Sequence, residues 1–304
     1  MKNKETPAVM FSLLLTSGLF FHCHSSNINQ EEEERKKIEH YLKTAEIVTV
    51  EKDEQAGRTA PWRIKLDDGK KARPGLFKHL DRRRPSLFAD SYKYELAAYE
   101  LNKLLHLNIV PPVVEREIEG KKGALQLFIQ DALPESNRKR RNIAPPRLED
   151  HQNILEMINV FENLVYDEEC FDAEDTLIDR KEWKVWRVDF SMAFSPTSGL
   201  IPGCRISRCS RKLYQNLVEL DADTVRAELK PYLNPQEIDA VLKRKSIIID
   251  KIKKLIEEKG EDSVLFLQKH KGGLSWKKHP QVSFIRHSEF SLLSTLTRSP
   301  QRCF

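Results

Sequence analysis

The chain has 304 residues, of which 32% are charged, and its formal net charge is +5. That length permits one two-lobed domain or two small domains, with ample chain for a buried core. Basic residues are concentrated in residues 269–304, where Glu289 is the one acid, so the remaining sequence is close to neutral and does not indicate a nucleic-acid-binding core.

The N-terminus has the layout of a secretory signal. Early lysines precede a mostly apolar stretch at residues 8–21, and polar and acidic residues follow. The apolar stretch is shorter than the ~20 residues that a membrane-spanning helix needs. We therefore predict a signal peptide over residues 1–23 and an exported protein, either periplasmic or anchored to a membrane. The alternative is an apolar N-terminus that is not cleaved.

The cysteines bear on that location. Cys23 resembles the lipidated cysteine of a bacterial lipoprotein, which would make it a membrane anchor, although His22 stands where such sites usually have a small residue. The other cysteines form an even set that would permit disulfides outside the cytoplasm without fixing their pairing: Cys170, Cys204, Cys209 and Cys303. They contain no CxxC pair, which argues against a structural zinc site.

Composition divides the rest of the chain into four parts. Residues 24–37 are polar and rich in acids, which predicts a tether or a frayed helix. Residues 38–130 and 131–267 carry the patterns of a β-rich N-lobe and a mainly helical C-lobe. Residues 268–304 hold isolated apolar residues without a sustained period, which predicts a disordered basic tail.

The N-lobe begins with strands and one helix. Strands are predicted over residues 47–50 and 62–66, and the Asp67–Gly69 segment predicts a hairpin turn because Asp-Gly tolerates the positive φ that such turns need. The following strand would end at Lys78. Apolar residues then recur at helical spacing over residues 94–105.

A second hairpin is predicted to lead into the crossing between the lobes. Its strands are residues 113–118 and 124–129. Residues 127–131 would form the crossing, where exposed backbone groups commonly meet an adenine. Gln126 and Phe128 are therefore the candidate nucleotide-binding residues of this region.

The C-lobe alternates helices with one hairpin. Residues 138–146 predict a charged surface loop, and residues 151–166 predict a helix with an apolar face. An acidic loop and a hairpin follow, with strands over residues 176–179 and 183–190. The remaining predicted helices span residues 213–220, 223–229 and 235–258, the last with Asn234 as its N-cap.

Lys78, Glu95 and Asp189 are the residues of the chain that point most directly to chemistry. A lysine can neutralise nucleotide phosphates, a glutamate can hold that lysine, and a carboxylate can bind the magnesium that bridges the phosphates. Their order predicts an α+β, two-lobed protein-kinase-like fold. Between Thr59 and Lys78 the only glycines are Gly69 and Gly75, so no Gly-rich phosphate loop is present there.

An ordered series of segments resembles atypical bacterial kinase-like proteins, which are relatives of HipA, of the phosphatidylinositol-kinase-like fold and of the secretory-pathway protein kinases. The matching segments are residues 91–101, 110–116, 120–128, 160–166 and 186–194. The resemblance implies ATP with Mg²⁺ or Mn²⁺ as cofactors. It also implies that Lys78 contacts phosphate, that Glu95 is its ion-pair partner and that Asp189 binds the metal.

The chain departs from this pattern in its acidic loop, residues 167–175. Family members typically have Asn-x-Asp-Arg here, whereas this chain places Glu169 where the catalytic aspartate belongs and Cys170 where the arginine belongs. Asp175 is the best match to a metal-binding asparagine. A glutamate would shift its carboxylate by roughly an ångström, a displacement that can cost ~100-fold in rate.

These observations lead to two hypotheses about function. The first is an exported kinase-like protein that binds ATP and a divalent metal ion between its lobes and transfers the terminal phosphate to an unidentified acceptor. In the second, a catalytically impaired pseudokinase serves as a binding or scaffolding protein. The acidic loop itself would either favour a divalent cation or lie solvated at the surface.

Overall fold

A computed structural model describes residues 17–52, 60–83, 89–170 and 172–267, with side chains from residue 30 onward. Most of the predicted signal peptide, residues 1–16, and the predicted tail, residues 268–304, lie outside the described residues. The elements in chain order are α1 (Ser17–Thr44), β1 (Glu46–Lys52), β2 (Trp62–Asp67), β3 (Ala72–Lys78), β4 (Asp81–Arg82), β5 (Asp90–Ser91), α2 (Tyr92–Leu104), β6 (Val113–Ile118), β7 (Lys121–Leu127), β8 (Ala132–Pro134), α3 (Glu135–Arg140), α4 (Leu148–Val165), β9 (Thr176–Asp179), β10 (Val185–Arg187), β11 (Cys209–Ser210), α5 (Arg211–Glu219), α6 (Ala222–Leu229), α7 (Pro235–Lys259), α8 (Glu261–Val264) and β12 (Leu265–Phe266).

The N-terminal half is built on a five-stranded antiparallel sheet in the order β1-β2-β3-β7-β6. Alternate residues of β2 are buried, as expected for a strand with one face against a core. The predicted turn between β2 and β3 is present. Gly69 has φ 78°, and its N–H donates to Asp67 Oδ1 at 2.8 Å.

Helix α1 covers one face of this sheet. Ile38 and Leu42 are buried against Trp62, Ile64 and Phe77. Residues 24–37, which the sequence predicts to be a tether or a frayed helix, lie within α1. The acids and bases of this stretch stand at helical spacing, and they pair along the helix, as Lys36 does with Glu32 at 3.3 Å.

Helix α2 occupies the opposite face of the sheet. It begins at the N-cap Ser91, whose hydroxyl accepts from the Lys93 N–H at 3.2 Å. In the last turn of α2, Asn102 Oδ1 accepts from the backbone N–H groups of Ile109 and Val110 in the loop that follows. The same loop reaches the C-lobe, because the Arg187 N–H donates to the Ile109 carbonyl at 2.8 Å. Helix α2 is therefore fixed between the two halves.

The C-terminal half is mainly helical. Its core contains α4 and α7, with side chains such as Phe161, Phe190 and Ile248 buried together. Helix α7 has the predicted N-cap at Asn234, completed by a capping box with Glu237. A three-stranded sheet in the order β10-β9-β8 supports the acidic loop.

Two predicted elements differ in the structure. Part of the predicted loop at 138–146 belongs to the helix α3. There the Arg138 guanidinium donates to both carboxylate oxygens of Glu135, at 2.5 and 2.7 Å. The predicted strand 183–190 is reduced to β10. Trp183 and Asp189 have φ 56° and 64°, which is left-handed backbone that a strand cannot include.

Cysteines and membrane spans can be assessed only for the part of the chain described. Cys170, Cys204 and Cys209 are free thiols in the structure. None of the described helices is both long enough and apolar enough to cross a membrane.

Candidate functional site

Lys78 brings the two halves of the molecule together. It is the last residue of β3, and its position across from Ala124 on β7 leaves room for the long side chain. Lys78 Nζ donates to Glu95 Oε1 on α2 at 2.5 Å and to Asp189 Oδ1 at 2.7 Å. The three residues predicted to act together are thus in direct contact, and Lys78 itself is buried.

The charges of this trio stabilise one another. Burial alone would lower the pKa of Lys78, but the carboxylates of Asp189 and Glu95 outweigh burial and raise that pKa. Burial would raise the pKa of Asp189, yet the ammonium group of Lys78 holds it at about 2. Burial raises the pKa of Glu95. At neutral pH, Lys78 and Asp189 therefore form a charged pair.

Asp189 holds its carboxylate on Lys78 through an unusual backbone conformation. Its φ of 64° ends the extended segment after β10. Asp adopts this region more readily than most residues, but the conformation still costs of order 1 kcal/mol or more. Ser191 Oγ donates to Asp189 Oδ1 at 3.0 Å and fixes the carboxylate orientation. Such strain is commonly found where a side chain must be aimed at a ligand or partner.

Gln126 and Phe128 lie on β7 and just beyond it. In the pairing of β3 with β7, Leu76 stands opposite Gln126 and Lys78 stands opposite Ala124. Residues that face each other or lie two apart on a strand share one side of the sheet, so Gln126 and Lys78 point to the same face. Gln126 is buried. Phe128 follows the last residue of β7, and its ring centroid is 4.8 Å from the guanidinium carbon of Arg63. Both residues are thus placed on one side of the trio.

The acidic loop is arranged around Arg187, a residue that sequence reasoning missed. Arg187 is completely buried on β10. Its Nε lies 2.8 Å from Glu162 Oε1, its Nη2 lies 2.7 Å from Asp167 Oδ2 and its Nη1 lies 3.5 Å from Asp175 Oδ2. Burial would lower the pKa of Arg187, but these carboxylates raise it. One cation thus joins both ends of the loop.

Glu169 and Asp175 occupy different positions relative to this cation. The Glu169 side chain is half-buried, and its backbone carbonyl accepts from Arg187 Nη2 at 3.1 Å. Asp175 lies just before β9, where its carbonyl accepts from the Val188 N–H at 3.0 Å, next to Asp189 in sequence. Burial raises the pKa of Asp175 to about 8. Neither residue is among the direct contacts of Lys78 described above.

A sequence signal for Arg187 does exist. An arginine between Trp186 and Val188, on a short strand that leads into the core, must be paired with carboxylates if it is buried. The sequence offered many acids nearby, and the partners that the fold selects include Glu162, on α4. That choice depends on how α4 packs against β10 and has no local pattern.

Few side chains of the described residues are placed where they could bind a metal ion together. Within the described ranges, no group of three or more His, Cys, Asp or Glu side chains is arranged to hold a metal ion. Asp189 suits a shared site in which nucleotide phosphates supply further oxygens, since its carboxylate is charged and its side chain is 33% exposed.

Comparison with known proteins identifies the architecture. No known family and no curated protein matches the sequence. Among solved structures, hydra Fam20, determined with sugar, aligns over 77% of this chain and 92% of that chain with a TM-score of 0.60 and 16% identity. The proinflammatory kinase CtkA of Helicobacter pylori aligns over 72% and 98% with a TM-score of 0.43 and 9% identity. The chain has a kinase-like fold.

The likeness to hydra Fam20 establishes the fold alone, because the identity is low. The predicted class is confirmed: an α+β molecule with an antiparallel sheet in its N-terminal lobe and a helical C-terminal lobe. The finer resemblance to bacterial relatives of HipA stays a prediction, as do the roles of the individual site residues.

Proposed function

We propose that this kinase-like chain binds ATP with a divalent metal ion between its lobes. The observation that carries the proposal is the position of Lys78, buried between Glu95 and Asp189 at 2.5 and 2.7 Å. A lysine fixed in this way has its ammonium group in place before a phosphate arrives.

Each site residue has a role in this proposal. Lys78 would contact the phosphates, and Glu95 would keep Lys78 in position from α2. Asp189 would bind Mg²⁺ or Mn²⁺, which supplies positive charge to the phosphate oxygens. Gln126 and Phe128 would lie beside the nucleobase. Gln126 is on the same face of the sheet as Lys78, and Phe128 follows directly after the strand that carries Gln126.

Nucleotide binding can be tested by isothermal calorimetry and thermal shift on the full chain, with ATP and either Mg²⁺ or Mn²⁺. We expect binding that Lys78→Met weakens by at least about 10-fold, as expected when a charge-assisted contact worth ~1.5–3 kcal/mol is lost. Lys122→Met is the matched control, because Lys122 is exposed on the same sheet. Equal affinities in both variants, or no binding by the parent chain, would contradict the proposal.

Phosphate transfer would depend on Glu169, which the sequence resemblance aligns with the catalytic aspartate of the resembled kinases. A binding or scaffolding role without efficient transfer is the second candidate. It is favoured by the backbone of the loop, which is bonded to Arg187 through the carbonyls of Glu169 and Asp172 at 3.1 and 3.2 Å. This arrangement limits how far the longer Glu169 side chain can be repositioned toward an acceptor.

Radiolabelled ATP separates these candidates. An active kinase transfers label to the chain itself or to added protein acceptors, and Glu169→Gln abolishes that transfer. In a pseudokinase, the parent chain binds ATP without transferring label, and Glu169→Asp restores transfer by returning the carboxylate to the shorter reach. ATP binding is measured in the same samples so that loss of folding is recognised.

We also propose export and anchoring through Cys23, on the basis of the N-terminal sequence pattern. Expression in a bacterial host with a radiolabelled fatty acid tests this directly. Label should enter the parent chain and be absent from Cys23→Ser, while Cys303→Ser keeps it. An unlabelled chain in the cytoplasmic fraction would contradict both the anchor and the export.

A further inference from the structure

The Arg187 guanidinium is enclosed by oxygen atoms of the acidic loop and of α4. Each of its three nitrogens has an oxygen within 3.2 Å. The contacts under 3.5 Å are to the carboxylates of Glu162 and Asp167 at 2.8 and 2.7 Å, and to the carbonyls of Glu169 and Asp172 at 3.1 and 3.2 Å. Asp175 Oδ2 follows at 3.5 Å. The loop therefore surrounds a cation that the chain itself supplies.

This arrangement decides what the acids of the loop do. An arginine remains protonated at all ordinary pH values, so the buried guanidinium is a permanent positive charge. Carboxylates and carbonyl oxygens are also the ligands that Mg²⁺ and Mn²⁺ prefer. Arg187 takes up oxygens that would otherwise be available to a metal ion.

Asp175 is the residue for which pairing with Arg187 and binding a metal ion conflict. It matches the metal-binding asparagine of the resembled kinases, yet its carboxylate faces Arg187. A metal ion on Asp175 would sit at about 2 Å from the carboxylate oxygen. Two positive charges would then share one largely buried pocket, where their repulsion is weakly screened.

We propose that Arg187 takes the place of a second metal ion, so that the nucleotide is bound with one divalent ion at Asp189 while Asp175 serves as a partner of Arg187. This rests on the proposed function, since it concerns the same nucleotide site. Asp189 can have a different role from Asp175, because its carboxylate accepts hydrogen bonds from Lys78 and Ser191 and not from Arg187.

Counting the metal ions tests the proposal. Electron paramagnetic resonance measures free and bound Mn²⁺ during titration of the full chain with a non-hydrolysable ATP analogue, and nucleotide occupancy is measured in the same samples with and without EDTA. We expect one Mn²⁺ per nucleotide-loaded chain. Asp189→Ala should weaken Mn²⁺ binding by at least about 10-fold, whereas Asp175→Ala should change it by less than about 3-fold.

The outcomes distinguish this proposal from the proposed function. Two Mn²⁺ per chain, or a 10-fold loss of Mn²⁺ affinity in Asp175→Ala, would overturn it while leaving nucleotide binding in place. If no nucleotide binds with or without metal, the proposed function and this inference both fail.

Arg187→Met supplies a second measurement. If the variant folds, as judged by circular dichroism, Asp175 and Asp167 become available and a second Mn²⁺ should bind; a stoichiometry that stays at one would count against the role of Arg187. If the variant does not fold, the parent stoichiometry and the comparison of Asp175→Ala with Asp189→Ala still decide the question.

Discussion

Two buried cations organise the candidate site, and each is held by carboxylates from distant parts of the chain. Lys78 on β3 is paired with Glu95 and Asp189, and Arg187 on β10 is paired with Glu162 and Asp167. A buried charge that loses its partner carries an uncompensated desolvation cost. Substitution of these carboxylates should therefore affect stability as well as binding.

Removing Glu95 is the direct test of this cost. We expect Glu95→Ala to lower the free energy of unfolding by about 3 kcal/mol, because one partner of a buried ion pair is lost. Urea denaturation followed by circular dichroism measures the change. Glu258→Ala is the control: Glu258 is 52% exposed and lies 3.9 Å from Lys254, and breaking such a surface pair costs about 0.5 kcal/mol. Equal losses would contradict the buried charge as the cause.

The buried carboxyl groups around Arg187 should make the stability of the fold depend on pH. Burial raises the pKa of Asp175 to about 8, whereas an unfolded Asp titrates near ~3.9. Between these values the folded chain binds more protons than the unfolded chain, so the free energy of unfolding falls as pH rises from about 4 to 8. Burial also raises the pKa values of Glu162 and Asp167, which adds to the same trend.

Melting temperatures between pH 5 and pH 8 check this trend. Asp175→Asn should make the decline shallower, because the substituted group no longer titrates. Asp223→Asn changes an exposed carboxyl on α6 and should leave the slope as it is in the parent chain. A parent chain that becomes more stable over this interval would show that other groups dominate.

Two cysteines of the described region, Cys170 and Cys209, should be slow to alkylate. Hydrogen bonding to Cys204, together with burial, raises the pKa of Cys170, and burial raises the pKa of Cys209 to about 12. The thiolate is the reactive form, so iodoacetamide at pH 8 should label these two residues only after unfolding in urea. Peptide mass spectrometry measures the labelling. Rapid labelling of Cys170 in the native chain would contradict this expectation.

At the scale of elements, α1 shows how a polar segment can become part of a fold. The pattern of its charges indicated a tether or a frayed helix, whereas its later residues Ile38 and Leu42 are fully buried against the sheet. Arg116 on β6 donates to the carbonyls of Leu42 and Ala45 at 2.8 and 2.7 Å, at the end of the helix. These bonds satisfy carbonyls that a helix end leaves without partners.

Arg116 should therefore contribute to the docking of α1. We expect Arg116→Met to lower the free energy of unfolding by about 2 kcal/mol, because two charge-assisted hydrogen bonds are lost. Arg226→Met is the matched control, since Arg226 is half-exposed and pairs with Asp239 at 3.2 Å on the surface. Chemical denaturation of the two variants makes the comparison. A loss no larger than that of the control would mean that packing alone holds α1.

Local patterns predicted most elements, and the reasons for the exceptions are specific. Alternation and turn residues located β2, β3 and the β6-β7 hairpin, and Asn234 marked the start of α7. The predicted strand 183–190 was too long because its ends adopt positive φ, which no composition signal indicated. The trio of Lys78, Glu95 and Asp189 was predicted because each residue type has a distinct role. The partners of Arg187 are fixed by tertiary packing and could not be predicted locally.

At the scale of the whole molecule, α2 is held by both lobes. Lys78 contacts Glu95 from the sheet side. On the other side, Tyr94 Oη donates to Glu237 Oε1 of α7 at 2.6 Å, and Asn216 of α5 donates to the Leu105 carbonyl at 2.7 Å. A helix with buried bonds in both directions cannot swing away from one lobe without breaking them. The pairing of Lys78 and Glu95 is thus built into the joint between the lobes.

The continuity of α1 has a mechanical consequence if Cys23 carries a lipid. Cys23 and Ile38 lie in one helix, 15 residue steps apart, and at 1.5 Å per step they are about 22 Å apart. The same residues as an extended leash would reach about 50 Å. The helix would then set the distance between the lipid and the folded lobes, and it would hold the candidate nucleotide site close to the bilayer.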